Sequence, residues 1–376
     1  MFTTKDAALL MSSFSVYKGI LHRTVPNAFY RLLCAYDAPP VEFARAWGEF
    51  FALLCDRGYS GNLSRCLSET ALFDENAFSK AAAAGKADQL AAPVKKAVKR
   101  DIEIIQQIGS LTPEHLLDGY RRLDELGCVA ETLAQWEAGA PIDELTGDAE
   151  ACMEKMAAYY RGHGCGMYAR YRAFIWRDGG IEPVVYPDPI RLKSLKGYEA
   201  ARKTVIDNTL ALLNGLSANN CLLYGDRGTG KSSTVKAILN EYAPQGLRMV
   251  EMPKDQLCDF PKLVERIAAL PLRFIIFIDD LSFTQQDDTY AALKAVLEGG
   301  LAAQPENALI YATSNRRHLV RQSFSDRAGD EVDAFETISE KTALAERFGL
   351  RIPYLTMSKA DYLALVDHLA ARAGVA

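Results

Sequence analysis

Apolar positions recur along this chain with two different periods, and the change of period divides it. Up to about residue 160 the spacing is helical. Phe43, Trp47, Phe50, Phe51 and Leu54 fall on one helical face, and Leu116, Tyr120, Leu123, Leu126 and Val129 on another. Loops rich in Gly, Ser, Asn and Pro interrupt these runs, notably Tyr59–Asn62 and Gly139–Asp143. From Met167 the period falls to two. Tyr168, Arg170, Arg172, Phe174 and Trp176 alternate with Met167, Ala169, Tyr171, Ala173 and Ile175. Asp178-Gly179 follows, then Ile181–Tyr186, which predicts a β-hairpin with a D-G turn. Pro187-Asp188-Pro189 closes the segment, and beyond it strand-like and helix-like runs alternate, the signature of a parallel α/β sheet. The pattern predicts a mainly helical domain over 1–186 ending in the hairpin, an α/β domain over 187–356, and the start of a helical lid over 357–376.

The sharpest local signal lies in the α/β part. Cys221–Tyr224 reads as a buried strand, and Ser233, Val235, Ala237, Ile238 and Leu239 read as a helix. Between them, Gly225-Asp226-Arg227-Gly228-Thr229-Gly230-Lys231-Ser232 fits G-x-x-x-x-G-K-[ST]. A glycine-rich turn before a helix would be the plain alternative, but strand, loop and helix together select a phosphate cradle. Successive backbone N–H groups from Gly225 to Ser233 then face an anion. Lys231 can reach the β- and γ-phosphates, and the Ser232 hydroxyl can hold magnesium. The chemistry implied is that of a nucleoside triphosphate.

Downstream, Phe274–Ile278 runs into Asp279-Asp280, a central strand ending in two acids. In a phosphate-loop enzyme Asp279 would share Mg²⁺ with Ser232, and Asp280 would polarise a water for attack on the γ-phosphate. Another strand, Ala308–Ala312, ends in Thr313-Ser314-Asn315-Arg316-Arg317, where open α/β sheets bind ligands. Asn315 is the candidate to position the water or feel the γ-phosphate, with Thr313 as the fallback. Arg347 precedes a last strand, Leu350–Tyr354. It is either a surface or interhelical cation or a group that reaches a neighbouring subunit's nucleotide.

Composition narrows the rest. A chain of 376 residues exceeds one typical core, so two domains are expected. A net charge of -5 supplies no overall basic footprint for nucleic acid. The basic knot of Lys95, Lys96, Lys99 and Arg100, and the acidic stretch after it, read as solvated helix faces. Two local readings compete for the hairpin: a half-buried strand, or a stacking platform of Tyr168, Arg170, Arg172 and Trp176 for single-stranded nucleic acid. His163 and Cys165 flank a glycine-rich turn and read as part of it. The eight cysteines form no C-x-x-C pair, which argues against zinc and for small buried hydrophobes. With neither a leader nor a membrane-length apolar run, the expected location is the cytoplasm, without a membrane partner.

Phosphate loop, strand with acid pair, polar-tipped strand and arginine, in this order, resemble the AAA+ ATPases. The chain is more closely similar to a bacterial family of them catalogued as domain of unknown function 815. That resemblance rests on Asn208-Thr209, Ala218-Asn219-Asn220, Gly225–Ser233, Gly246-Leu247-Arg248, Phe277–Phe283, Leu297–Gly300 and Tyr311–Leu319. It covers roughly residues 187–370, and the hairpin more weakly. It implies a five-stranded parallel sheet flanked by helices, ATP with Mg²⁺, and hydrolysis by in-line attack of water. Asn315 would be the γ-phosphate sensor, and Arg347 a finger acting on the next protomer in a head-to-tail homo-oligomer. Two departures stand out. The acids are Asp-Asp where Asp-Glu is common, so hydrolysis is expected to be slow, and Ser358-x-x-Asp361 caps a single helix in place of a full lid with its sensing arginine. The expected function is an ATPase acting on an unidentified protein or nucleic-acid client. Its rival is a nucleotide-dependent binding switch resembling helicase loaders, with little turnover. An unfoldase is disfavoured because Pro253–Pro261 lacks an aromatic-glycine grip, and a metabolic kinase would need neither Arg347 nor a helical N-domain.

Overall fold

The computed structural model describes residues 4–118, 120, 122–281, 288–297, 305–315, 346–372 and 374. Its contacts divide the chain into two compact units, Met1–Arg170 and Tyr171–Ala376.

The first unit is helical. The helix Pro40–Asp56 starts with Pro in its first turn, where a missing N–H costs nothing. It buries Phe43, Trp47, Phe50 and Leu54, the face that the periodicity marks. Trp136 packs on Trp47 and Phe50 at ring separations of 4.8 and 5.0 Å. The second expected face breaks up. Leu116, Tyr120 and Leu126 are buried, but Leu123 and Val129 are exposed, and the helices are short pieces, Pro113–Asp118, Leu123–Leu126 and Val129–Thr132. Gly127, at φ 53°, ends the middle piece. The basic knot is tied into the surface: Lys99 pairs with Glu150, and Arg100 donates to Ser13 Oγ at 2.8 Å. The His163 ring stacks on Tyr159 at 4.3 Å, while Cys165 is buried and its thiol pushed up by desolvation.

The second unit is built on a sheet of seven described strands. They are β1 (Ala173–Arg177), β2 (Gly180–Pro183), β3 (Cys221–Gly225), β4 (Leu247–Glu251), β5 (Arg273–Ile278), β6 (Ala308–Ser314) and β7 (Leu350–Tyr354). Their spatial order is β2-β1-β4-β5-β6-β3-β7. The five from β4 to β7 are parallel, as the alternation predicts, and β1 extends them in parallel register, Ala173 opposite Met249. The central strands are buried on both faces, every residue of β6 included, which is why they read as continuous apolar runs.

The hairpin corrects two expectations. It belongs to the sheet of the second unit, so the boundary between units falls after Arg170, not after Tyr186. The start of the alternating run, Met167–Arg170, lies in the helix Gly166–Arg170, and strand pairing begins only at Ala173. The turn itself is as expected: Asp178 and Gly179 both have positive φ, 49° and 75°, between paired Arg177 and Gly180. The stacking-platform reading is overturned as well. Phe174 and Trp176 are fully buried, the Trp176 indole donates to Asp259 at 3.3 Å, and Arg172 donates to Asn240 at 2.7 Å.

Of the eight cysteines, Cys66, Cys152, Cys165 and Cys221 are buried, whereas Cys34, Cys55, Cys128 and Cys258 are exposed and do not follow the small-hydrophobe reading. No described helix is long and apolar enough to cross a membrane.

Candidate functional site

β3 delivers the chain into the glycine-rich loop at the carboxyl edge of the sheet. Gly225 is forced there by close approach: a Cβ on it would lie 2.1 Å from the Tyr354 carbonyl oxygen. The loop ends at Gly230, the N-cap of the helix Lys231–Tyr242, with a left-handed φ of 88° that glycine alone adopts readily. The next residue, Lys231, is buried and folds back over the loop. Its Nζ donates to the carbonyls of Asp226 at 2.6 Å and Gly225 at 3.1 Å. Burial pulls the ammonium below its ordinary pKa, against the opposing pull of Asp226, Asp280 and Asp279. A cation at the mouth of a helix N-terminus, short of solvation, is suited to take up an anion.

The acids arrive from the end of β5, two strands from β3, and Thr313 and Asn315 from the end of β6 between them. β5 ends beside β6, Ile278 opposite Ala312, and β6 lies beside β3, Leu223 opposite Thr313. Ser232, Asp279, Asp280, Thr313 and Asn315 therefore converge on one edge. Ser232 Oγ donates to Asp279 Oδ1 at 2.6 Å. The same oxygen accepts from Thr313 Oγ1 at 2.5 Å and from the Asp280 N–H at 3.1 Å. Asn315 Nδ2 donates to Asp280 Oδ1 at 2.7 Å. A hydroxyl and a carboxylate this close form the hard-oxygen donor pair that Mg²⁺ takes when phosphates and water complete its shell, so the residues fit that ion.

Two features of the site had no signal in the sequence pattern. Asp280 is a non-glycine residue at φ 50°, a conformation that costs about 1–3 kcal/mol. And Thr356 Oγ1 donates to Asp226 Oδ2 at 2.5 Å, tying the loop to the segment after β7. Beside that tie lies an open cavity of about 710 Å³ between Gly197–Ala201 and Leu350–Ser358. Tyr198 lines it with its ring 4.8 Å from that of Tyr354 and its hydroxyl donating to the Leu355 carbonyl.

Arg347 does not join the cluster. β7 runs parallel to β3 from Leu350, opposite Cys221, to Tyr354, opposite Gly225, a rise of about 13 Å. Arg347 is exposed and precedes β7, so it sits at the opposite edge of the sheet from the loop. Other stretches that carry the resemblance are structural. Asn208 donates to the Asn219 carbonyl at 2.8 Å and to the Tyr311 hydroxyl at 3.1 Å, Asn220 accepts the Ile310 N–H at 2.8 Å, and buried Arg248 donates to the Ala243 and Leu247 carbonyls. Ser282, Phe283, Glu298–Gly300 and Arg316–Leu319 lie outside the described residues.

A parallel sheet in which the loop-bearing strand lies between the last two strands, with paired acids on the strand two places away, brings a phosphate loop, acids and polar strand tips to one edge, in keeping with the AAA+ resemblance of the sequence. The chain belongs to the family described as protein of unknown function (DUF815), whose model matches residues 169–376. No curated protein matches the chain. Among solved structures it is similar to the Thermotoga maritima RuvB Holliday junction branch migration motor, at 15% identity and a TM-score of 0.31 over 50% of this chain and 55% of that one. It is also similar to the Aeropyrum pernix ORC1 protein, solved in complex with DNA, at 14% identity and a TM-score of 0.34 over 47% and 50% of the two chains. The chain thus spans about half the length of the solved structures it matches.

Proposed function

We propose that this protein is a Mg²⁺-dependent ATPase that couples ATP binding and hydrolysis to the remodelling or loading of a macromolecular partner. The observation that carries this reading is the convergence of Ser232, Asp279, Asp280 and Asn315 beside the Lys231 loop. The loop from Gly225 to Ser233 binds the phosphates through its backbone. Lys231 leaves the carbonyls of Gly225 and Asp226 to neutralise the β- and γ-phosphates, while Ser232 and Asp279 hold the cation. The cation, when bound, withdraws charge from the phosphates and orients them. Asp280 orients the attacking water, and Asn315, which donates to Asp280 in this structure, senses the γ-phosphate. Stabilisation is mostly electrostatic, supplied by the loop N–H groups, Lys231 and the cation. The cavity beside Tyr198 adjoins the loop and is large enough to take the nucleoside end. Arg347, too far from its own loop, acts on the neighbouring subunit in a head-to-tail assembly.

One observation favours the rival reading, a nucleotide-dependent binding switch with little turnover. The Asp280 side chain is short, and the Asn315 amide holds one of its carboxylate oxygens at 2.7 Å. The two readings share the nucleotide and differ in turnover.

Titration with a fluorescent ATP analogue tests the assignment of roles. Lys231→Ala removes the phosphate cation and should weaken binding by two orders of magnitude, about 2.7 kcal/mol. Asp280→Asn removes a water-orienting charge and should leave affinity within about threefold of wild type. Equal losses in the two variants would mean that the roles are wrongly divided.

A further inference from the structure

Thr313 enters the sequence argument only as a substitute for Asn315 in touching phosphate, yet its hydroxyl does something different in the fold. It is 2% exposed, at the end of a strand buried along its whole length. The Asp280 N–H points at Oγ1 from 3.0 Å, and Oγ1 lies 2.5 Å from Asp279 Oδ1. An N–H can only donate, so the hydroxyl accepts there, and its single proton goes to Asp279. One side chain thus grips both acids, one through its carboxylate and the other through its backbone.

We propose, resting on the ATPase reading above, that Thr313 is the positioning residue that sets Asp279 for the cation and fixes the backbone from which Asp280 orients water. Asp279 Oδ1 is held by three donors, Ser232, Thr313 and the Asp280 N–H. Three bonds to one oxygen fix the plane of the carboxylate. Asp280 stands at φ 50°, and such a conformation persists only where the surroundings over-determine it. Three bonds supply that restraint: Thr313 and, at slightly longer range, Asp279 on the N–H, and Asn315 on the carboxylate. Without the hydroxyl, Asp280 loses its better backbone acceptor and relaxes towards negative φ, which turns its carboxylate away from Asn315. Thr313 itself touches neither phosphate nor cation in this scheme.

The test compares wild type with Thr313→Val, which keeps shape and removes both bonds, and Thr313→Ser, which restores the hydroxyl. A fluorescent ATP analogue is titrated with Mg²⁺ and again in chelator, and kcat is measured at saturating ATP. In chelator the three proteins should bind alike, because the loop is untouched. With Mg²⁺, Thr313→Val should lose most of the cation-dependent gain in affinity and fall in kcat by about 10–100-fold, the range for residues supporting a metal ligand. Thr313→Ser should recover both. Should thermal melting show Thr313→Val unfolded, Thr313→Cys, a weak donor of similar size, takes its place with the same expected direction. A Thr313→Val protein with wild-type Mg²⁺ dependence and kcat would overturn the proposal. Wild type that binds no nucleotide at all would instead defeat the ATPase reading beneath it.

Discussion

Gly225 has less room than the other glycines of the phosphate loop, Gly228 and Gly230. Its φ is 139°, and a methyl group added there would stand 2.1 Å from the Tyr354 carbonyl oxygen. That leaves no room for a side chain, and the obstacle is backbone. Gly225→Ala should destabilise the second unit by about 1–3 kcal/mol through strain, read as a lower urea midpoint at unchanged slope. A midpoint equal to wild type would mean that β3 and β7 do not pack this closely. Such constraints are partly legible in a sequence. The glycines, Lys231 and Ser232 form a local motif, because they lie within one short run of consecutive positions, Gly225 to Ser232. The left-handed Asp280 and its grip by Thr313 and Asn315 are not, because 33 and 35 positions separate the partners and only the sheet register unites them.

The hairpin is the element that the pattern describes least well. Alternation from Met167 predicts a strand, but period-two patterning cannot say where pairing starts, and Gly166–Arg170 coils as a helix instead. Nor can it say which sheet a strand joins. That is decided by Trp176, wholly buried, with Arg266 5.5 Å from its ring and Asp259 accepting its N–H. Arg266 also reaches the Gly179 carbonyl at 2.8 Å, so the helix Phe260–Ala268 clamps both the strand and its turn. Trp176→Ala should cost about 3–5 kcal/mol and expose the β1–β2 edge to proteolysis. Retention of the wild-type cleavage pattern and midpoint would show that the hairpin is held by backbone pairing alone. The parallel strands were easier to anticipate, since β5 and β6 are covered on both faces and must be apolar throughout.

At the scale of the whole molecule the account turns on which chain completes which site. The rise of β7 separates Arg347 from its own loop, and on the reading proposed above it serves the site of a neighbouring subunit. Arginine supplied in this way is worth about 10³–10⁵ in rate in phosphoryl transfer. A head-to-tail contact of this kind generates a ring or an open filament, and activity per subunit should then rise with protein concentration. Asp280→Asn subunits keep the arginine and lose turnover at their own site, whereas Arg347→Ala subunits keep the site and lose the arginine. One measurement therefore bears on both the chemistry and the assembly: steady-state phosphate release from Mg²⁺·ATP by wild type, by each variant, and by the two variants mixed. The account predicts release by wild type well above both variants, and partial recovery in the mixture. Wild type that releases no more phosphate than Asp280→Asn would contradict it.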